Sequence, residues 1–135
     1  MSRGLRNRNP GNIRRSTTTY KGETTSRDPA FKTFESMAWG YRAMFVLLDT
    51  YKRRHGCDTL RQMIDRYAPP VENNTVAYIN TVASRSHVAP DSRISTDNRE
   101  VMVPIVSAMS FVENGVPAVA ADVEAGWKLF IQYRP

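Results

Sequence analysis

From residue 36 onward, apolar positions recur at three- and four-residue spacing, which predicts a body of short amphipathic helices. Met37, Tyr41, Met44, Phe45, Leu48 and Tyr51 form one stripe and predict a helix over 36–55. Ser36 is placed to cap it, and Phe34 to pack back on its first turn. Gly56 follows a basic last turn, residues 52–55, which suits the negative end of the helix dipole. A shorter helix with Leu60, Met63, Ile64 and Tyr67 inward is expected behind an Asp58 cap, and Ala68-Pro69-Pro70 ends it. Asn74 or Asn73 can cap the next helix, whose stripe is Val76, Ile79, Val82 and Ala83.

Residues 86–96 read as a polar loop, after which Asp97 and Glu100 have capping-box spacing. The helix behind them carries Pro104, which removes one donor and should bend the helix or mark its start. That helix ends in Phe111-Val112-Glu113-Asn114-Gly115. Pro117 suits a first helical position and predicts a last helix over about 117–132, with Trp127 and Phe130 on a broad apolar face. Trp39 and Trp127 fit the core better than a sugar platform.

Residues 1–30 lack this periodicity. Asn9-Pro10-Gly11-Asn12 is a turn signal, and Ser16 through Thr25 can form a β-hairpin around Gly22. The expected fold is therefore mainly α. It is one domain over 1–135, with a basic hairpin-bearing or irregular arm over 1–30 and a helical body of five to six helices over 36–133.

Composition narrows the function classes. The chain has 135 residues, 41% hydrophobic and 24% charged, ordinary values for a globular protein. No apolar run of about 18 residues predicts a membrane span, and the first residues carry no apolar signal-peptide core. A product acting outside the cytoplasm would then need another exit route. Cys57 is the single cysteine, and His55 and His87 lack partners at metal spacing, so no metal or cofactor is expected.

The arm holds Arg3, Arg6, Arg8, Arg14, Arg15, Lys21 and Arg27 against Glu23 and Asp28, which is five of the six net positive charges. Such a stretch suits a polyanion or is simply a solvated arm. No helix interleaves arginines with base-reading side chains, which argues against nucleic acid.

One acid stands out for its position. Glu113 closes an apolar helix just before a glycine, where its carboxyl should sit half in the core and half in a cleft. Partial burial disfavours the ionised form, and an acid that keeps its proton near neutral pH can protonate a glycosidic oxygen. Glu72, beside the Asn74 cap, is expected to stay ionised at a helix N-terminus. Tyr78, one turn beyond that cap, can reach the groove the cap lines.

Four segments resemble a phage and prophage family of small lysozyme-like proteins, whose members include virion structural and lytic proteins. They are Arg3 through Arg14, Phe31-Lys32-Thr33-Phe34 through Ala43, Tyr67-Ala68 through Tyr78, and Ala108 through Gly115. A more distant resemblance is to cell-wall glucosaminidases of the autolysin and flagellar type, with the segments in a circularly permuted order. Asn12-Ile13-Arg14, Phe31 through Ser36 and Tyr67 through Tyr78 look like three of their elements. Ala108 through Gly115 looks like the helix bearing their catalytic acid, moved toward the C-terminus, with Asn114 in place of the usual serine.

The resemblance implies a lysozyme-like domain that cleaves β-1,4 linkages of peptidoglycan, by hydrolysis or as a lytic transglycosylase. In it Glu113 is the general acid, Glu23 the leading second carboxylate and Asp28 its reserve. Asn12, Glu72, Asn74 and Tyr78 would then contact the glycan strand. The alternative is a non-catalytic virion or wall-binding component of the same shape, whose partners are other virion proteins.

Overall fold

The computed structural model describes residues 1–71 and 73–135. Its elements run α1 (Arg3–Arg6), β1 (Glu23–Thr24), β2 (Thr33–Phe34), α2 (Met37–His55), α3 (Leu60–Tyr67), α4 (Thr75–Ser86), α5 (Arg99–Asn114) and α6 (Ala120–Gln132). The fold is mainly helical, with six helices among the described residues and a two-stranded antiparallel sheet near the N-terminus.

The longest stripe behaves as its spacing requires. The Ser36 hydroxyl accepts from Trp39 N at 3.3 Å at the start of α2, and Gly56 ends the helix in the left-handed region. Tyr41, Met44, Phe45 and Leu48 are buried. α2 packs chiefly on α6, and α4 on α5. Gly126 makes the α2–α6 approach possible, because a Cβ there would stand 2.5 Å from Tyr41 Cβ and 3.0 Å from Ala38 O. Beside it Phe45 meets Trp127 edge-on at 5.1 Å and stacks with Phe130 at 6.0 Å. Trp127 is thus core, whereas Trp39 is half-buried and packs against Tyr133.

Several boundaries differ from the sequence expectation, and at α3 and α5 a neighbouring polar group wins. Thr59, not Asp58, caps α3 in a full capping box with Gln62. The Asp58 carboxylate instead accepts from Lys52 at 3.1 Å and Arg93 at 3.3 Å. Asn98, not Asp97, caps α5, and no capping box forms, because Asp97 pairs with Arg134 at 2.5 Å and Glu100 with Arg99 at 2.7 Å. α5 begins at Arg99 and runs through Pro104, which lies in its second turn. α6 starts at Ala120 rather than Pro117, behind Val119, which offers no side-chain cap. Val76, expected inward, is 67% exposed on α4, while Ile79 and Val82 are buried.

The arm is built around its polar side chains. Gly22 makes a turn before β1 rather than the hairpin's own turn, and the strands pair Glu23 with Phe34 and Thr24 with Thr33. Asp28 ties the long connection: it accepts from Ala30 N and Phe31 N, from Arg3 Nε at 2.6 Å and Nη2 at 2.7 Å, and from Asn7. Asn9 is fully buried and works as a clamp. Its amide donates to Ile13 O and Lys32 O and accepts from Ile13 N, all at 2.9 Å. That clamp shapes the 9–12 turn and ties it to the residues leading into β2.

Candidate active site

The last turn of α5 and the 9–12 turn meet through Asn114. Its amide donates to Pro10 O at 2.8 Å and to Ser110 O at 2.9 Å, and its oxygen accepts from the Ser2 hydroxyl at 2.7 Å. Gly4 allows the close approach, since a Cβ there would stand 2.6 Å from Asn114 Oδ1 and 2.8 Å from Asn9 O. Asn12 adopts a φ of 49°, a left-handed conformation that asparagine tolerates better than most residues. The result brings the Asn12 side chain over Glu113.

Both carboxylate oxygens of Glu113 are then held. Asn12 Nδ2 donates to Oε1 at 2.9 Å, and the Tyr78 hydroxyl donates to Oε2 at 2.9 Å. Tyr78 is delivered by the first turn of α4, whose Asn74 cap accepts from Ala77 N at 3.1 Å. Burial pushes the Glu113 carboxyl above the ordinary glutamate range, against the opposing pull of these two donors and of the Arg14 charge. The phenols of Tyr67 and Tyr78 are pushed well above their usual range, first by burial and then by the Glu113 charge. Both therefore remain donors at neutral pH, and Tyr67 spends its proton on Gly11 O at 2.5 Å.

Glu113 stands where two hollows adjoin. The larger, about 340 Å³, has Asn12, Arg14, Tyr20, Phe31, Tyr51 and Tyr67 in its wall. The smaller, about 310 Å³, is bounded by Asn73, Asn74, Ala77, Tyr78, Thr81 and Val112. Asn73 and Glu113 line both. Glu113 is the one carboxylate among the described residues lining either hollow.

The residues singled out from sequence thus separate into two groups. Glu113, Asn12, Tyr78 and Asn74 come together at this junction. Glu72 lies outside the described residues. Glu23 and Asp28 line neither hollow. Glu23 sits on β1, where both its oxygens accept from the buried Lys32 ammonium at 3.0 Å and one also accepts from Tyr20 N. Asp28 is held by Arg3, and that hydrogen-bonded guanidinium keeps its carboxyl well below the usual aspartate range.

Tyr20, Tyr51 and Thr81 also line the site, brought there from separate elements with no local signal in the sequence. Arg14 and Tyr67 were within reach, because both belong to the segments that carried the family resemblance. No group of three or more histidine, cysteine or acidic side chains suited to a metal occurs among the described residues.

No protein-family model matches the chain. It is 36% identical over 132 residues to Protein P5 of Pseudoalteromonas phage PM2, an alignment covering 94% of this chain and 81% of the phage protein. The chain belongs to the family of phage protein P5. Among the described residues no helix is long and apolar enough to cross a membrane, so this member of the P5 family has no helical span there.

Proposed function

We propose that this protein cleaves β-1,4 glycosidic bonds of peptidoglycan, with Glu113 as the general acid of a lysozyme-like, circularly permuted site. The observation that carries the reading is the Glu113 carboxyl at the junction of two hollows. It is sheltered enough to favour its proton and is aimed by Asn12 and Tyr78. A group so placed can protonate the bridging oxygen of a sugar chain lying across the junction as positive charge grows on the anomeric carbon. Membership of a phage family supports a role where a phage must pass or open a cell wall.

The surroundings favour the transglycosylase form of the reaction over hydrolysis by a carboxylate pair. Glu23 and Asp28 are committed to Lys32 and Arg3, and neither lines the hollows. A single acid suffices if the substrate supplies the nucleophile. Glu113 gives its proton to the leaving oxygen and the bond from that oxygen to the anomeric carbon breaks. The 6-hydroxyl of the same muramoyl sugar then bonds to that carbon and returns its proton to Glu113, leaving a 1,6-anhydro end and a neutral acid.

Mass spectrometry of muropeptides released from purified walls tests this reading. Anhydromuramoyl ends made by the wild-type protein and lost in Glu113→Gln are the expected result. Reducing ends would replace transglycosylation by hydrolysis. Walls that pull the protein down yet release no ends of any kind would make it a non-catalytic wall-binding virion component instead.

A further inference from the structure

Asn114 and Gly115 form the one Asn-Gly pair of the chain, and they sit where the arm is seated on α5. In an unstructured peptide this pair is chemically frail. The glycine bears no Cβ, so its nitrogen reaches the asparagine side-chain carbon unhindered. Here the atoms that reaction needs are engaged. The Gly115 N–H donates to Phe111 O at 2.8 Å. Asn114 Nδ2 donates to Pro10 O at 2.8 Å and to Ser110 O at 2.9 Å, and Oδ1 accepts from the Ser2 hydroxyl at 2.7 Å. Asn114 is also the last helical residue of α5, and helical backbone holds the following nitrogen away from the side-chain carbon. The bonds to Pro10 and Ser2 come from the arm, so the shielding depends on the arm staying in place. Solvent is close at hand, because Gly115 is exposed and a Cβ there would meet no atom within 4 Å.

We propose that Asn114 is a latent deamidation site, shielded while the arm is seated and converted once the arm lifts. In the opened state a base from solvent takes the Gly115 N–H proton. The nitrogen bonds to Asn114 Cγ, the Cγ–Nδ2 bond breaks, and the side-chain nitrogen takes up a proton and leaves as ammonia. Water then adds to one of the two carbonyl carbons of the five-membered ring and opens it, giving aspartate or isoaspartate at 114. Neither product can rebuild the seat. A carboxylate has no hydrogen to donate, so its oxygens would face Pro10 O and Ser110 O. Its charge would also lie at the negative end of the α5 dipole, beside Glu113. Isoaspartate in addition lengthens the backbone by a methylene. The arm then stays off α5, and Asn12 stays off Glu113. The chemistry at Asn114 is independent of the proposed reaction, and only its effect on wall cleavage rests on that reading.

Mass spectrometry of the peptide bearing Asn114, taken over days at mildly alkaline pH, follows the conversion. In the folded wild-type protein it should run at least about tenfold slower than in the same chain held in urea, because only the opened fraction reacts. Ser2→Ala and Gly4→Ala weaken the seat and leave the Asn-Gly pair intact, so each should react faster than wild type under folding conditions. In urea all three should react alike, and Gly115→Ala should react several-fold slower. Asn114→Asp, made directly, shows the consequence. Its Glu113 carboxyl, followed by carbon NMR titration, should ionise at higher pH than in wild type, since the Asn12 donor is lost and a like charge is gained. Equal rates in folded and urea-held wild type, or Ser2→Ala and Gly4→Ala both holding the wild-type rate, overturn the shielding. An Asn114→Asp protein whose Glu113 titrates as in wild type overturns the link to the acid. A wild type that releases no ends from walls removes the proposed reaction alone, since neither readout here measures cleavage.

Discussion

The Asn12 amide donates to Oε1 of Glu113 at 2.9 Å although 101 residues separate the two in the chain. The contact exists because Asn114, next to Glu113, ties the turn bearing Asn12 onto the helix end through Pro10 O. One residue of the α5 terminus is thus the acid, and its neighbour holds the arm that aims it.

Replacing Glu113 by glutamine separates catalysis from stability. Activity on purified walls should fall at least about 100-fold, the usual scale for losing an acid catalyst. Stability should move the other way. The folded protein raises the Glu113 pKa, so the carboxyl opposes folding once it ionises. Its favourable share is complete below the unfolded pKa and lost as pH rises through the higher folded value. Thermal melts should therefore show Glu113→Gln matching or exceeding wild type at pH 7 to 8, with the advantage disappearing near pH 4.

Tyr78→Phe removes one of the two donors that favour the ionised carboxylate. The Glu113 pKa should rise further, and the alkaline limb of the pH–rate profile should shift up with it. The maximal rate should fall as well, because one oxygen loses its orientation. An alkaline limb that stays in place would detach Tyr78 from the titrating group.

Gly4→Ala tests the seat of the arm without touching the acid. The new Cβ would meet Asn114 Oδ1 at 2.6 Å and the backbone oxygen of Asn9 at 2.8 Å, and that backbone oxygen has little freedom to yield. The 9–12 turn should lift from α5, carrying Asn12 off Glu113. Wall cleavage should drop about tenfold or more, since small misplacements of a catalytic constellation are costly. Melting should show a loss of about 1–3 kcal/mol, typical of overpacking.

Asp28→Asn addresses the arm's other lock. The aspartate pKa is lowered in the folded state by Arg3, so its contribution is present above the unfolded pKa and is lost as pH falls through the folded one. The variant should melt below wild type at pH 7 and converge with it under strongly acid conditions. If Asp28 were instead a partner of Glu113 in catalysis, the rate would collapse while the melting temperature held.

Where local patterning carries a short-range rule, the chain could be read directly. Ser36 and Gly56 bound α2 because a hydroxyl acceptor and a left-handed glycine solve problems internal to the helix. The Asn74 cap of α4 is equally local. Errors fell where two candidate groups competed. Asp58 and Asp97 resemble caps, but each is drawn to arginines or lysines that the fold brings from elsewhere, leaving Thr59 and Asn98 to cap.

The sequence by itself determined the helical stripes, some of the caps and a terminal acid at an apolar helix end, since periodicity and capping act over a few residues. Only the tertiary structure decided what surrounds that acid. Burial, long-range hydrogen bonds and charge pairing depend on which segments meet in space. They brought Asn12 and Tyr78 onto Glu113 and turned Glu23 toward Lys32. A carboxylate reads the same in a chain whether it is destined for a cleft or a salt bridge, because the partner that settles its chemistry is chosen by folding.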